Sequence, residues 1–344
     1  MRYDFDRHIE RRGTCSVKWS DEIMRQMNGK SGLTPFWVAD MDFACPQPVI
    51  DAVMEEARRG IYGYSYRTDR YFESFIRWNE RRHGWKVDRD WTVYSPGVVT
   101  ALNAIVQEFT EAGDKIIIQP PVYHPFFYSV RNNGRQVLEN TLKELPGGDY
   151  IMDFEGLQQM ASDPKAKLAI LCSPHNPVGR VWREDELRRF GEICLANGIL
   201  VVADEIHSDL VFEGYRHIPF ATLSEDFARH SITCTAPSKT FNMAGLQVSN
   251  LVVPDEGIRK ALSERMEANG IEEPGIFGVV AAEAAYSHGE EWLAQLLCYL
   301  EANADLIGSS IAGSMPGVAY RKPQGTYLAW LDFRGMGLDE AALK

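Results

Sequence analysis

Between Trp91 and Pro254 the chain repeats one pattern, a short apolar run that closes on Pro, Gly or a polar cluster and then gives way to an amphipathic stretch. The runs are "WTVYSPG", "KIIIQPP", "LAILCSP", "ILVVADE", "SITCTAPSK" and "NLVVP"; helices read from about Val98 and across "REDELRRFGEICLANG". Strands that are apolar on both faces and separated by helices form a mainly parallel sheet covered on both sides, so the expected fold class is α/β. An earlier helix reads from "PQPVIDAVMEEARRG", with Pro near its start and Gly60 after its last turn.

The flanks read differently. Residues 1–45 are irregular apart from the apolar island "PFWVADMDFACP". After "NLVVP" the pattern is helical from about Asp255 to Gly308, and "VAYRKPQGTYLAWLDFRG" alternates like strands of a smaller sheet. The expected division is a large α/β domain over 46–285 and a smaller α+β domain from 1–45 with 286–344. The final "GLDEAALK" reads as a helix cut short, so the C-terminal part of the small domain is expected to be incomplete.

Composition narrows the partners. The 344 residues are 45% apolar and 24% charged, as in ordinary globular proteins, and the net charge of −12 disfavours nucleic-acid and anionic-membrane surfaces. A small-molecule partner is expected. Six scattered cysteines lack C-x-x-C pairing, and Cys172 and Cys234 fall inside core strands, as reduced thiols do. The opening has no apolar leader core and no stretch approaches the about 18 apolar residues of a membrane span, so cytoplasmic residence is expected.

Chemistry gathers at the strand ends. One strand delivers Gly97 into a helix start at Val98 and Val99, a second delivers Tyr123, and a third His175 and Asn176. A fourth brings Asp204, Glu205 and His207, and a fifth Ser238 and Lys239. Parallel strands put all of these on one sheet edge. A phosphate seat, an aromatic plate, a buried acid and a lysine together match pyridoxal 5′-phosphate. Lys239 would meet its aldehyde, Asp204 its ring nitrogen, and Asn176 and His207 its phenolic oxygen. Tyr123 would cover its face, while the Val98 and Val99 amides with Ser238 would hold its phosphate.

Each residue alone has a plainer reading. Lys239 could be a solvated loop lysine, Tyr123 a core aromatic and Asn176 a turn residue. Asp204, Glu205, His207 and Asp209 could be metal ligands, although an extended spacing would send alternate side chains to opposite faces. His175 reads as a structural group. A nicotinamide site is disfavoured because no G-x-G-x-x-G follows any strand.

"SPHNPVGRVW", "VVADEIHSDL" and "APSKTFNMAGLQ" resemble, in order and spacing, the motifs of the fold-type I, class I/II aminotransferase superfamily of pyridoxal-phosphate enzymes. "YDFDRHIERRGTCSVKW" and "FWVADMDFACPQPV" are similar to the PatB/MalY-type cystathionine β-lyases, or C–S lyases. The resemblance spans essentially the whole chain and implies the aspartate-aminotransferase-like fold. It implies Lys239 as the Schiff-base lysine, Asp204 as the pyridinium partner, Asn176 and His207 beside the ring oxygen, and Tyr123 as the stacking ring. It also implies a homodimer in which Tyr64 reaches the partner's phosphate, with Ala39 and Asp40 closing over the substrate.

Two positions depart from the wider family. Gln247 stands where aminotransferases carry a phosphate-binding arginine, and the arginine for the substrate carboxylate falls beyond Lys344, since Arg334 precedes that position. The activity implied is α,β-elimination from an S-substituted L-cysteine such as cystathionine. The alternatives are amino transfer by the same residues and a non-catalytic regulatory relative.

Overall fold

A computed structural model of the protein describes residues 2–343. Eleven strands follow in chain order: β1 Thr92–Ser95, β2 Lys115–Ile118, β3 Gln136–Glu139, β4 Lys143–Glu144, β5 Tyr150–Ile151, β6 Ala166–Cys172, β7 Leu200–Asp204, β8 Ser231–Thr235, β9 Ser249–Val252, β10 Ala319–Tyr320 and β11 Leu331–Asp332. Seven of them form the main sheet in the order β1-β9-β8-β7-β6-β2-β3. Strand β9 runs antiparallel to both its neighbours, so β1 runs parallel to the other five. The C-terminal ends of β1, β2, β6, β7 and β8 therefore share one edge, as the sequence pattern requires.

Alternation along the strands divides the core. Leu168, Ile170, Val202 and Ile232 pack on one face against Ala101, Leu102 and Ile105 of the helix Val98–Phe109. Ala169, Leu171, Val201 and Ala203 pack on the other against Leu187, Phe190 and Cys194 of the helix Glu184–Ala196. The period of two along a strand sorts these residues between the faces. A third apolar cluster centres on Trp78, Phe241, Tyr286 and Trp292 and joins the helices Asp69–His83, Ile276–His288 and Glu290–Ser314.

Within the main sheet, β3 is not among the expected runs, and three features of the flanking segments also differ from the sequence reading. The early segment holds a helix, Asp21–Asn28, capped by Ser20 and anchored by the buried Met24. The helical stretch after β9 is three helices, Glu256–Ala268, Ile276–His288 and Glu290–Ser314, and it runs past Gly308. Gly270 in the left-handed region stops the first, and Pro274 precedes the second. At Gly289 a Cβ would stand 2.3 Å from the Phe241 ring, so the short residue there is a packing requirement. The last stretch is strand only at β10 and β11, which pair antiparallel in a separate two-stranded sheet. Between them Thr326 takes a left-handed conformation, φ 68°, that no strand tolerates. A short helix, Glu340–Leu343, follows, and Lys344 lies outside the described residues.

Candidate functional site

The common edge carries a cavity of about 180 Å³. Ala39, Val98, Val99, Tyr123, Asn176, Asp204, His207, Ser238 and Lys239 all line it. Hydrogen-bond register explains the centre: Cys172, Asp204 and Cys234 stand opposite one another at the ends of β6, β7 and β8. Asn176 and Lys239 lie a few residues beyond two of those ends.

The lysine is the best-placed reactive group. Pro237 stops β8 and opens a single helical turn, Pro237–Thr240, that carries Ser238 and Lys239. Lys239 Nζ donates to the Ala39 carbonyl at 2.8 Å. Burial lowers its pKa below the usual lysine value, while the Asp40 and Asp204 carboxylates pull the other way. An amine so placed spends more time uncharged than a surface lysine.

Burial also shapes the groups facing it. It pushes the Asp204 carboxyl up to about 7, against the Ile206 N–H donating to Oδ1 at 3.2 Å and the charge of Lys239. It drives the His207 imidazole down to about 3, helped by Lys239, so that ring is neutral at pH 7. Its Nδ1 is buried without a partner. Tyr123 is half-buried, and burial followed by Asp204 raises its phenol. The Cys172 thiol is raised by burial and accepts the Asn176 N–H at 3.3 Å, so it packs as an inert neighbour.

The same cavity is lined by a helix start. The helix Val98–Phe109 starts from Gly97, and its first intrahelical bond is Ala101 N–H to Gly97 O, 3.1 Å. The N–H groups of Val98, Val99 and Thr100 precede that bond, and all three residues line the cavity beside Ser238. Such orphan donors with the helix dipole favour an anion.

The N-terminal segment forms the lid of this arrangement. Arg11 makes a two-pronged pair with Asp40, 2.8 and 3.1 Å, and also reaches Asp42 at 2.8 Å. Lys18 and Trp19 hold Asp42 at 2.7 and 2.6 Å. Asp40 thus faces its own salt-bridge cluster, and it acts on Lys239 through charge. Ala39 alone of the pair lines the cavity.

Not every candidate converges. Tyr64 is fully exposed and does not line this chain's cavity. His175 is buried, donates through Nε2 to the Pro121 carbonyl at 2.9 Å, and packs edge-on against Trp182. Glu205 turns away to His217 Nε2 at 3.0 Å and the Phe220 N–H at 2.7 Å. Asp209 receives Trp78 Nε1 at 3.1 Å, His83 Nε2 at 3.0 Å and the Thr240 hydroxyl at 2.9 Å. Sequence reasoning missed Tyr327, whose hydroxyl also donates to Ala39 O at 2.9 Å, and Ile206 on the cavity wall. Ile206 was legible, since it sits between two candidates; nothing local marks Tyr327.

The residues present fit a phosphorylated aldehyde with a basic ring nitrogen. The carboxyl of Asp204 is buried and raised to about 7, His207 on the same cavity wall has a buried Nδ1 without a partner, and the helix start at Val98 lines the cavity together with the lysine. Comparison with known proteins points the same way. The profile of the family "Aminotransferase class I and II" matches residues 34–343. The chain is 46% identical over 341 residues to cystathionine beta-lyase PatB of Bacillus subtilis, covering 99% of this chain and 87% of the relative. Its fold superposes on cystalysin of Treponema denticola, a structure containing pyridoxal 5′-phosphate, with a TM-score of 0.96 and 36% identity over 100% of this chain and 87% of the other. It superposes on the pyridoxal-phosphate-bound C–S lyase of Staphylococcus hominis with a TM-score of 0.92 and 33% identity, over 99% and 86%.

Proposed function

Because this chain belongs to the class I and II aminotransferase family, we propose that it is a pyridoxal-phosphate-dependent carbon–sulfur lyase. Its substrate is an S-substituted L-cysteine of the cystathionine type, and its products are a thiol, pyruvate and ammonia. The observation that carries the reading is Lys239, its Nζ held at the Ala39 carbonyl of the N-terminal segment, within one cavity with Asp204, His207 and the helix start at Val98. Similarity to PatB covers 99% of the chain, whereas the wider family's profile begins at residue 34. Arg11, Lys18 and Trp19, which brace Asp40 and Asp42, lie before residue 34, in a stretch that the alignment with PatB includes.

When bound, pyridoxal phosphate supplies an aldehyde for an amine and a protonated ring that accepts the electron pair of a departing Cα proton. Val98, Val99 and Ser238 would hold its phosphate, Tyr123 would pack on its ring, and Asn176 and His207 would donate to its phenolic oxygen. Asp204 would keep the ring nitrogen protonated and, paired with that cation, would itself be ionised. Lys239 would anchor the cofactor through its aldehyde and, with its amine free, would take the substrate's Cα proton onto Nζ. The Cβ–S bond then breaks with its electrons on sulfur. The three-carbon remainder hydrolyses to pyruvate and ammonia.

The same reading makes the protein a homodimer, with Tyr64 completing the partner's phosphate site. Exposure of Ile61, Tyr62, Tyr64 and Tyr66 on one short segment supports it. The two-stranded β10–β11 sheet, separate from the main one, supports a large domain over 46–285 and a small one from 1–45 with 286–344. Six free thiols support residence in the reducing cytoplasm. No helix among the described residues is long and apolar enough to cross a membrane.

The test is pyruvate release from L-cystathionine without added keto acid, beside a visible absorbance band that Lys239→Ala abolishes. Amino transfer to a keto acid with no pyruvate would replace the lyase reading with an aminotransferase. A missing band would remove the cofactor assignment itself.

A further inference from the structure

One carbonyl oxygen serves two donors at the centre of the site. Ala39 O accepts from Lys239 Nζ at 2.8 Å and from the Tyr327 hydroxyl at 2.9 Å. Tyr327 comes from the far end of the chain, 288 positions from Ala39, and its place is built with care. Thr326 before it adopts φ 68°, donates its N–H to Leu210 O at 2.7 Å, and takes the Leu328 N–H on its hydroxyl at 3.2 Å. A Cβ on Gly325 would stand 2.6 Å from the same Leu210 carbonyl, so backbone approaches backbone there. The Tyr327 ring then meets His207 edge to face, with centroids 5.8 Å apart and planes at 71°.

We propose that Tyr327 is a positioning residue that lowers the proton affinity of Lys239 by sharing its acceptor. The proposal rests on the lyase reading only for its consequence in catalysis. A carbonyl already accepting one hydrogen bond has less electron density to offer a second donor. The protonated amine draws on that acceptor more strongly than the neutral amine does, so sharing it penalises the charged form. The hydroxyl has a second use: when Lys239 leaves Ala39 O for the cofactor, Tyr327 keeps the carbonyl satisfied and the N-terminal segment in place.

The other groups facing Lys239 come from three directions. Asp40 lies on the N-terminal segment, backed by Arg11 and Lys18; Asp204 and His207 lie at the end of β7; Tyr123 follows β2. Asp40 and Asp204 favour the ammonium, whereas burial opposes it. The Tyr327 phenol is itself raised by burial and stays neutral through the working range.

Tyr327→Phe keeps the ring and removes the hydroxyl. The midpoint for acylation of Lys239 by a small amine reagent, followed by mass spectrometry on the full-length protein freed of cofactor, should rise by about half to one pH unit. In the loaded enzyme, where the amine is free only after substrate has bound, the acid limb of kcat for pyruvate release should rise in parallel. Activity at pH 7 should fall about three- to tenfold, with the visible band and melting temperature retained. An unmoved acylation midpoint overturns the proposal, even if activity falls, because a merely structural loss would not require it to move. Should the Phe variant fail to fold, Tyr327→Met gives the same reading with the aromatic contact also removed. Failure of the lyase reading is separately visible as a wild type without band or pyruvate, and the acylation midpoint still decides the role of Tyr327.

Discussion

Asn242 grips Met41 by both backbone groups: its Oδ1 accepts the Met41 N–H at 2.9 Å and its Nδ2 donates to the Met41 carbonyl at 2.8 Å. A third bond runs from Nδ2 to Phe43 O at 2.7 Å. The side-chain amide imitates a neighbouring strand, and it fastens the N-terminal segment to the loop that carries Lys239. Asn242 sits at φ 56°, where Asn is tolerated better than most residues.

Comparing two substitutions separates conformation from contact at this latch. Asn242→Gly keeps the left-handed backbone without strain and loses the three bonds; Asn242→Ala loses the bonds and adds about 1 kcal/mol of backbone strain. Both should raise KM for cystathionine about tenfold by loosening Ala39 over the site, and the Ala variant should melt about 1–2 °C below the Gly variant. Equal KM in wild type and both variants would remove the latch from catalysis.

Asp204 gives a pH signature in the cofactor-free chain. Its folded pKa of about 7 lies above the 3.8 of the free carboxyl, so between those values the folded state holds a proton that the unfolded state has lost. Stability therefore falls as pH rises from about 4 to 7. Asp204→Asn should remove that slope and melt higher than wild type at pH 8, with little difference at pH 4. In the loaded protein the ring cation satisfies the carboxylate, so the same substitution should weaken cofactor retention. Thermal scans at the two pH values, with and without cofactor, read both effects.

At Gly179 the main sheet's loop touches the end segment. A Cβ there would lie 2.3 Å from Pro323 Cβ, and the residue holds φ +70°. Gln324 N–H donates to Gly179 O at 2.8 Å. Gly179→Ala should cost about 1–3 kcal/mol in denaturant unfolding. It should also shift activity, because Asn176 is three residues away and Tyr327 three residues beyond Gln324.

The shared-site reading of Tyr64 predicts complementation. Lys239→Ala and Tyr64→Ala are each expected to be nearly inactive, yet unfolded together and refolded as a mixture they should recover up to about a quarter of wild-type activity. Half of the dimers would then be mixed, each with one intact site. No recovery, with dimers confirmed by sedimentation, would place Tyr64 outside the partner's site.

Much of the site was legible because it depends on local pattern. Apolar runs bounded by Pro or Gly identify strand ends, and parallel strands bring Tyr123, Asn176, Asp204 and Lys239 to one edge. The helix boundaries after β9 were less legible, since Gly289 ends a helix by packing against Phe241 and not by turn chemistry. The helix Asp21–Asn28 escaped because eight residues are too few for a clear period.

By itself, then, the sequence determined six of the main sheet's seven strands, the edge on which chemistry gathers, and the residue types that call for pyridoxal phosphate. Tertiary structure alone decided that Ala39 receives Lys239 and Tyr327, and that Asn242 holds Met41 from 201 positions away. The physical reason is that these contacts end on main-chain groups. Every residue carries a carbonyl, and all but proline an N–H, so no side chain announces which one is used. Only the folded path of the backbone selects it.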